Sequence, residues 1–164
     1  MALTGTWERS IDSKGRLAIP KPLKEAFEHD GSDELFLAPG NEGCLSVYAP
    51  EQFERYAAQL ARASRGEATV RNFLRLFYAR AERVVPDKQH RIRIPDRLAR
   101  HASLSGNVVI VGVYDHAEIW DLQQWEQFLA EHSSQFDRLT TEALERMVRA
   151  PMDGSPATPE NSES

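Results

Sequence analysis

Arginine and isoleucine alternate strictly in "RIRIP" (91–95), the period of two that a half-buried strand requires. Ile92 and Ile94 then share one face, and Arg91 and Arg93 the other. "ELFLAPGNEGCLSVYAP" (34–50) and "NVVIVGVYDHAEIWD" (107–121) read as pairs of strands joined by turns, the first rich in Gly, Pro and Asn. Elsewhere apolar residues recur every three or four positions, the mark of an amphipathic helix. Phe53, Tyr56, Ala57 and Leu60 form one such stripe, and Leu122, Trp125, Phe128 and Leu129 a second. Val70, Phe73, Leu74 and Phe77 form a third, and Phe136, Leu139, Ala143, Leu144 and Met147 a fourth. All four are expected to pack into a core. In "PKPLKEAF" (20–27) and "PDRLARHA" (95–102) a proline stands near the first turn of a short helix, where its missing N–H costs nothing, and a leucine faces inward.

The pattern occurs twice. "IDSKGRLAIP" (11–20) and "PDKQHRIRIP" (86–95) align at an offset of 75 residues, matching Asp12 with Asp87, Arg16 with Arg91, Leu17 with Ile92, Ile19 with Ile94, Pro20 with Pro95 and Leu23 with Leu98. "LSVYAPEQFERY" (45–56) lies over "AEIWDLQQWEQF" (117–128) at an offset of 72, so three residues have been lost from a loop between the blocks. Each half therefore reads as strand, tight turn, strand, short helix, two strands and a longer helix. The expected organisation is a first half over 4–61, a connecting helix over 62–79, a second half over 80–131, a C-terminal helix over 132–149 and a disordered acidic tail over 150–164.

Composition narrows the function classes. Among the 164 residues no apolar run approaches a membrane span, and the N-terminus lacks a basic region followed by an apolar one, so a cytoplasmic protein is expected. Cys44 is the single cysteine and reads as a small core residue, without the His and Cys spacing of a metal site. The net charge of −5 hides an uneven distribution: residues 62–100 carry eleven basic and four acidic side chains, a balance of +7, which leaves −12 for the rest. A basic region in an acidic chain keeps a polyanionic partner open.

Aspartate and arginine four residues apart would pair along a helix. Here Gly15 sits between them and strand-like residues flank both copies, so a hairpin mouth is the better reading. An exposed pair of this kind contributes about 0 to 1 kcal/mol, a weak reason to build it twice. An arginine oriented by aspartate keeps donors for phosphate oxygens or for guanine O6 and N7. Lys14 and Lys88, at equivalent turn-adjacent positions, would add point charges. On residue chemistry alone, DNA binding and a structural turn both remain open.

"GTWERSIDSKGRLAIPKPLKEAF", "GCLSVYAPEQFE", "DKQHRIRIP" and "VVIVGVYDHAEIWD" resemble the corresponding segments of the MraZ family, bacterial transcriptional regulators with two SpoVT-AbrB-type domains in one chain, from about Thr4 to Phe128. The resemblance implies an α+β fold, in which two tandem half-domains form a pseudo-symmetric, swapped-hairpin, AbrB-like β-barrel with helices packed on it. It also implies a ring-shaped homo-oligomer that binds double-stranded DNA at short direct repeats in the promoter of the division and cell-wall gene cluster, often its own. The positions carried over are Asp12, Lys14, Arg16, Asp87, Lys88 and Arg91; charge and periodicity add Arg93 and Arg97. No cofactor, metal or membrane partner is implied, and the expected location is the nucleoid. The second turn departs from the family pattern, with His90 where glycine is usual: either that loop has a different shape or the substitution is tolerated there. Two further readings stand beside this one. The first is an interaction module, an antitoxin-like DNA-binding half or a scaffold ring; an antitoxin would carry one motif followed by a long disordered toxin-binding tail, whereas this tail is short. A small barrel enzyme would need a nucleophile, phosphate-loop or metal motif that the scattered histidines do not supply.

Overall fold

The computed structural model describes residues 2–62 and 66–149. The first half runs β1 (Thr6–Ser10), β2 (Arg16–Ala18), α1 (Lys21–Phe27), β3 (Leu35–Pro39), β4 (Leu45–Tyr48) and α2 (Pro50–Ala61). After α3 (Ala68–Arg80) the second half repeats the order with β5 (Glu82–Val84), β6 (Arg91–Arg93), α4 (Asp96–His101), β7 (Asn107–Val113), β8 (His116–Asp121) and α5 (Leu122–His132), and α6 (Phe136–Arg149) follows. The architecture is α+β, and every named strand pair is antiparallel.

The prolines act as the sequence pattern anticipates. Pro20 and Pro95 cap the short helices, and their carbonyls accept the equivalent first-turn N–H groups, those of Lys24 and Ala99, both at 2.9 Å. Leu23 and Leu98 turn inward from these helices and are buried.

Six strands form one sheet in the order β1-β7-β8-β4-β3-β5, and β2 pairs with β6 in a separate ribbon. Exchanging the halves reverses that order onto itself. The first strand of each half pairs with the other half, β1 with β7 and β5 with β3. The registers obey the same two-fold relation. Leu17 faces Ile92 at the centre of the ribbon, and Ser46 faces Glu118 where β4 meets β8.

One core serves both halves: Leu17, Leu23, Leu37 and Leu45 pack in the same cluster as Ile92, Leu98, Ile110 and Ile119. Each such side chain contributes about 1.5–3 kcal/mol on burial, and neither half could close this core alone. A second cluster lies under α3, where Phe77 covers Ala38 and Tyr48, and Phe36 stacks on Phe53 with ring centroids 4.3 Å apart.

Three expectations are corrected. Among the described residues the ladder does not close into a barrel, and β1 and β5 remain its edges. The reason lies at the hairpin turns: β1 and β2 share a single turn-closing bond, Asp12 N–H to Arg16 O at 3.0 Å, and then part to pair with β7 and β6. The connecting helix, expected over 62–79, starts at Ala68, with Gly66 and Glu67 lying ahead of it. The fourth apolar stripe is not core: Phe136 is 70% and Met147 69% exposed, and Leu139 and Leu144 are exposed too. The chain divides into a unit that ends at Glu126 and one that begins at Gln127. α6 belongs to the second, which has no strand among its described residues for the stripe to cover. The expected acidic tail, 150–164, lies outside the described residues.

Candidate nucleic-acid interface

Both Asp-x-x-x-Arg segments are tight turns with the same hydrogen-bond frame. In the first, Asp12 Oδ1 accepts the N–H groups of Lys14 and Arg16, each at 2.9 Å, and Oδ2 accepts Arg16 Nε–H at 2.7 Å. In the second, Asp87 Oδ1 accepts the N–H groups of Gln89 at 2.9 Å and Arg91 at 3.0 Å, and Oδ2 accepts Arg91 Nε–H at 2.9 Å. Gly15 N–H closes the first turn onto Asp12 O at 3.0 Å, and His90 N–H closes the second onto Asp87 O at 2.9 Å. Gly15 has φ 75° and His90 φ 60°, both in the left-handed region. The histidine thus leaves the shape of the second turn unchanged and alters only what projects from it.

A carboxylate that accepts several N–H bonds is held ionised. The backbone N–H of Arg16, supported by the Arg16 side chain and the Lys14 N–H, brings Asp12 down to about 2, although burial opposes this. Asp87 is lowered in the same way, first by the Arg91 N–H. Each arginine is therefore oriented by a carboxylate, Arg16 through Nε and Arg91 through both Nε and Nη2, the latter also 2.9 Å from Asp87 Oδ2. A guanidinium has five N–H donors, so those not turned to the aspartate remain for another partner.

The ribbon sets the two turns against each other. Antiparallel pairing places them at opposite ends of three paired residues, a span of about 7 Å, and Ile19 N–H to His90 O and Ile94 N–H to Gly15 O extend the pairing, both at 2.9 Å. Leu17 and Ile92 are fully buried beneath, which directs the alternate residues Arg16, Arg91 and Arg93 outward. Arg93 lies directly across from Arg16. Like charges facing each other across strands are destabilising, so this arrangement lacks a stability rationale and fits a polyanion.

The remaining candidates fall nearby. Lys14 and Lys88 are both exposed on the turns. They are not equivalent: the residue that repeats the Lys14 N–H bond is Gln89, so Lys88 matches Ser13. The sequence offset of 75 already implies this, and matching charge rather than register obscures it. Arg97 stands on α4, off the ribbon, with Nη2 3.6 Å from Glu82 Oε1. Lys24, which the sequence pattern does not single out, places Nζ 3.4 Å from His90 Nε2. Nothing local in the sequence announces that contact, since it joins residues 66 positions apart.

A second polar cluster lies on the far face of the sheet, in a cleft of about 1030 Å³ lined by Tyr48, Tyr56, Phe77, His116 and Glu118. Its groups satisfy one another. Glu118 accepts Trp120 Nε1–H at 3.2 Å, lies 3.6 Å from the Cys44 thiol and faces His116, while His116 Nδ1 is 2.8 Å from Asp115. The Glu118 and Asp115 partners raise His116, and burial drives the Cys44 thiol up. Among the described residues no group of three His, Cys, Asp or Glu is placed to hold a metal ion, and no helix is long and apolar enough to cross a membrane.

Comparison with known proteins follows the same two halves. A family model described as "MraZ protein, putative antitoxin-like" matches twice, at residues 2–76 and 77–147. The chain is 34% identical over 142 residues to a protein of Bifidobacterium longum named "Transcriptional regulator MraZ", covering 87% of this chain and 92% of that one. It is 36% identical over 135 residues to a protein of the same name from Mycoplasmoides gallisepticum, covering 82% and 92%. A third of that name, from Mycolicibacterium smegmatis, is 33% identical over 144 residues, covering 88% and 98%. With two repeats matched in tandem and relatives of one name aligned along nearly their whole length, the chain belongs to the MraZ family.

Proposed function

We propose that this chain is a sequence-specific DNA-binding transcriptional regulator, and that the β2–β6 ribbon with its two turns is the surface that meets the duplex. The observation that carries the reading is the paired clamp: two arginines, each oriented by an ionised aspartate, stand at the ends of one ribbon, with a third arginine, Arg93, directly across from the first. Arg16, Arg91 and Arg93 address bases or phosphates, Asp12 and Asp87 orient the first two, Lys14 and Lys88 contact the backbone, and Arg97 contributes at the periphery. The family's members named transcriptional regulators support the role. By that resemblance the target is a set of short direct repeats in the promoter of the division and cell-wall gene cluster, including the chain's own gene, and the protein sits with the nucleoid.

A few contacts per subunit bind duplex weakly at physiological salt, whereas linked copies on neighbouring repeats gain through effective concentration. A homo-oligomeric ring supplies that linkage, and the exposed apolar face of α6 supports self-association. The test is a footprint of the purified protein on the DNA upstream of its own gene, at stated salt. Arg16→Ala and Arg91→Ala are expected to weaken sequence-specific binding by about 1–3 kcal/mol each, with the fold intact by circular dichroism. Unchanged affinity in the double variant would refute the site assignment.

A further inference from the structure

The two-fold relation that the backbone obeys is broken by the side chains of the ribbon. Exchanging the halves carries Arg16 onto Arg91 and Leu17 onto Ile92, but it carries Ala18 onto Arg93. Because the strands are antiparallel, Arg93 is delivered to the first turn. It faces Arg16 across the ribbon and lines a depression together with Asp12, Ser13, Lys14 and Gly15. The corresponding place opposite Arg91 is held by Ala18, whose methyl group offers no donor. Lys24 lies beside the second turn instead, against His90, and its counterpart at the first turn is Ala99. One end of the ribbon therefore presents two adjacent guanidiniums beside Lys14, and the other a single guanidinium beside Lys24 and Lys88. These are different chemistries: the planar fork suits the paired acceptors of guanine, while the ammonium is a point charge suited to phosphate.

We propose that each subunit holds duplex DNA in one polarity only, set by Arg93, with the Arg16–Arg93 end taking the guanine-bearing end of the half-site. This rests on the DNA-binding reading above. A ribbon with two-fold side chains would accept its half-site in either direction. Displacing one arginine from the axis makes the two directions unequal in energy.

Polarity is read by cleavage from a tethered iron chelate. Lys21 is exposed and Cys44 is fully buried, so Lys21→Cys gives the full-length protein a single accessible thiol. The probe is a duplex from the DNA upstream of the chain's own gene, shortened to one protected segment. The labelled protein is expected to cut on one flank of that segment. Adding Ala18→Arg, at an exposed position, restores the two-fold and is expected to give equal cutting on both flanks. Ala18→Arg with Arg93→Ala moves the arginine across the axis and is expected to exchange the flanks. Cutting on both flanks by the protein with native Ala18 and Arg93, or an unchanged flank in the exchanged variant, overturns the proposal. Absence of any protected segment with the unlabelled protein would instead defeat the DNA-binding reading itself.

Discussion

Asp12 takes three hydrogen bonds from the turn it closes, two through one carboxylate oxygen and one through the other. Its value of about 2, below the ordinary 3.8, fixes the sign of its contribution. The ionised form is favoured by folding, so the stabilisation is present above 3.8 and is lost as pH falls through about 2. The Arg16 Nε–H resonance is expected to stay shifted by its carboxylate partner until the pH approaches that value. In Asp12→Asn the resonance should move to the position of a solvated guanidinium at neutral pH, with weakened promoter binding; an unmoved resonance would show that the carboxylate does not orient the arginine. His116 has the opposite sign. Glu118 and Asp115 raise it above 6.5, so its contribution is complete below 6.5 and fades as pH rises through the folded value. Among the described residues the groups facing it are those two carboxylates and the ring of Tyr48, and the Cys44 thiol lies 3.6 Å from Glu118. The urea midpoint is expected to fall as pH is raised above 6.5, and the fall should be absent in His116→Gln. At this scale the aspartates and arginines were legible from spacing alone, because a turn is closed by residues near in sequence. The His90–Lys24 contact was not, because only the fold joins its partners.

The two turns are one backbone shape made by two different residues. A glycine adopts φ 75° without strain, whereas a side chain in the left-handed region costs about 1–2 kcal/mol. At Gly15 the nearest atom to an added Cβ would be Ile94 O at 3.7 Å, so no collision obscures the backbone effect. Gly15→Ala is expected to destabilise by about 1–2 kcal/mol and His90→Gly to stabilise by about 0.5–1 kcal/mol, both read from denaturant midpoints. A stabilising Gly15→Ala would mean that the turn relaxes to another shape. Strands and short helices were legible here, since alternation in "RIRIP" and the capping prolines are local signals. The α6 stripe misled, because periodicity reports that a helix has an apolar face and is silent on what covers it. In α3 the stripe is buried on β3 and β4 only at Phe77, while Phe73 is exposed; in α6 the face is exposed throughout.

Across the whole molecule the halves are bound by exchange: each gives its first strand to the other, and Leu17 meets Ile92 on the axis between them. Leu17→Ala and Ile92→Ala are each expected to cost about 2–5 kcal/mol. The double variant should cost less than the sum, because both open the same cavity. Strict additivity, or two separate unfolding transitions in either single variant, would indicate halves with independent cores. The repeat, and with it the family, could be read in the chain because duplicated residues keep their order and spacing. The tight turns were legible from the same local information, but that His90 keeps the second in the shape of the first was shown only by its φ of 60°. Which strand pairs with which was decided only in three dimensions: hydrogen bonding between strands is the same for any partner, so the exchange of β1 and β5 leaves no mark in the alternation of either. For that reason the open six-stranded ladder, the adjacency of Arg16 and Arg93, and the place of Lys24 beside the second turn belong to the tertiary structure.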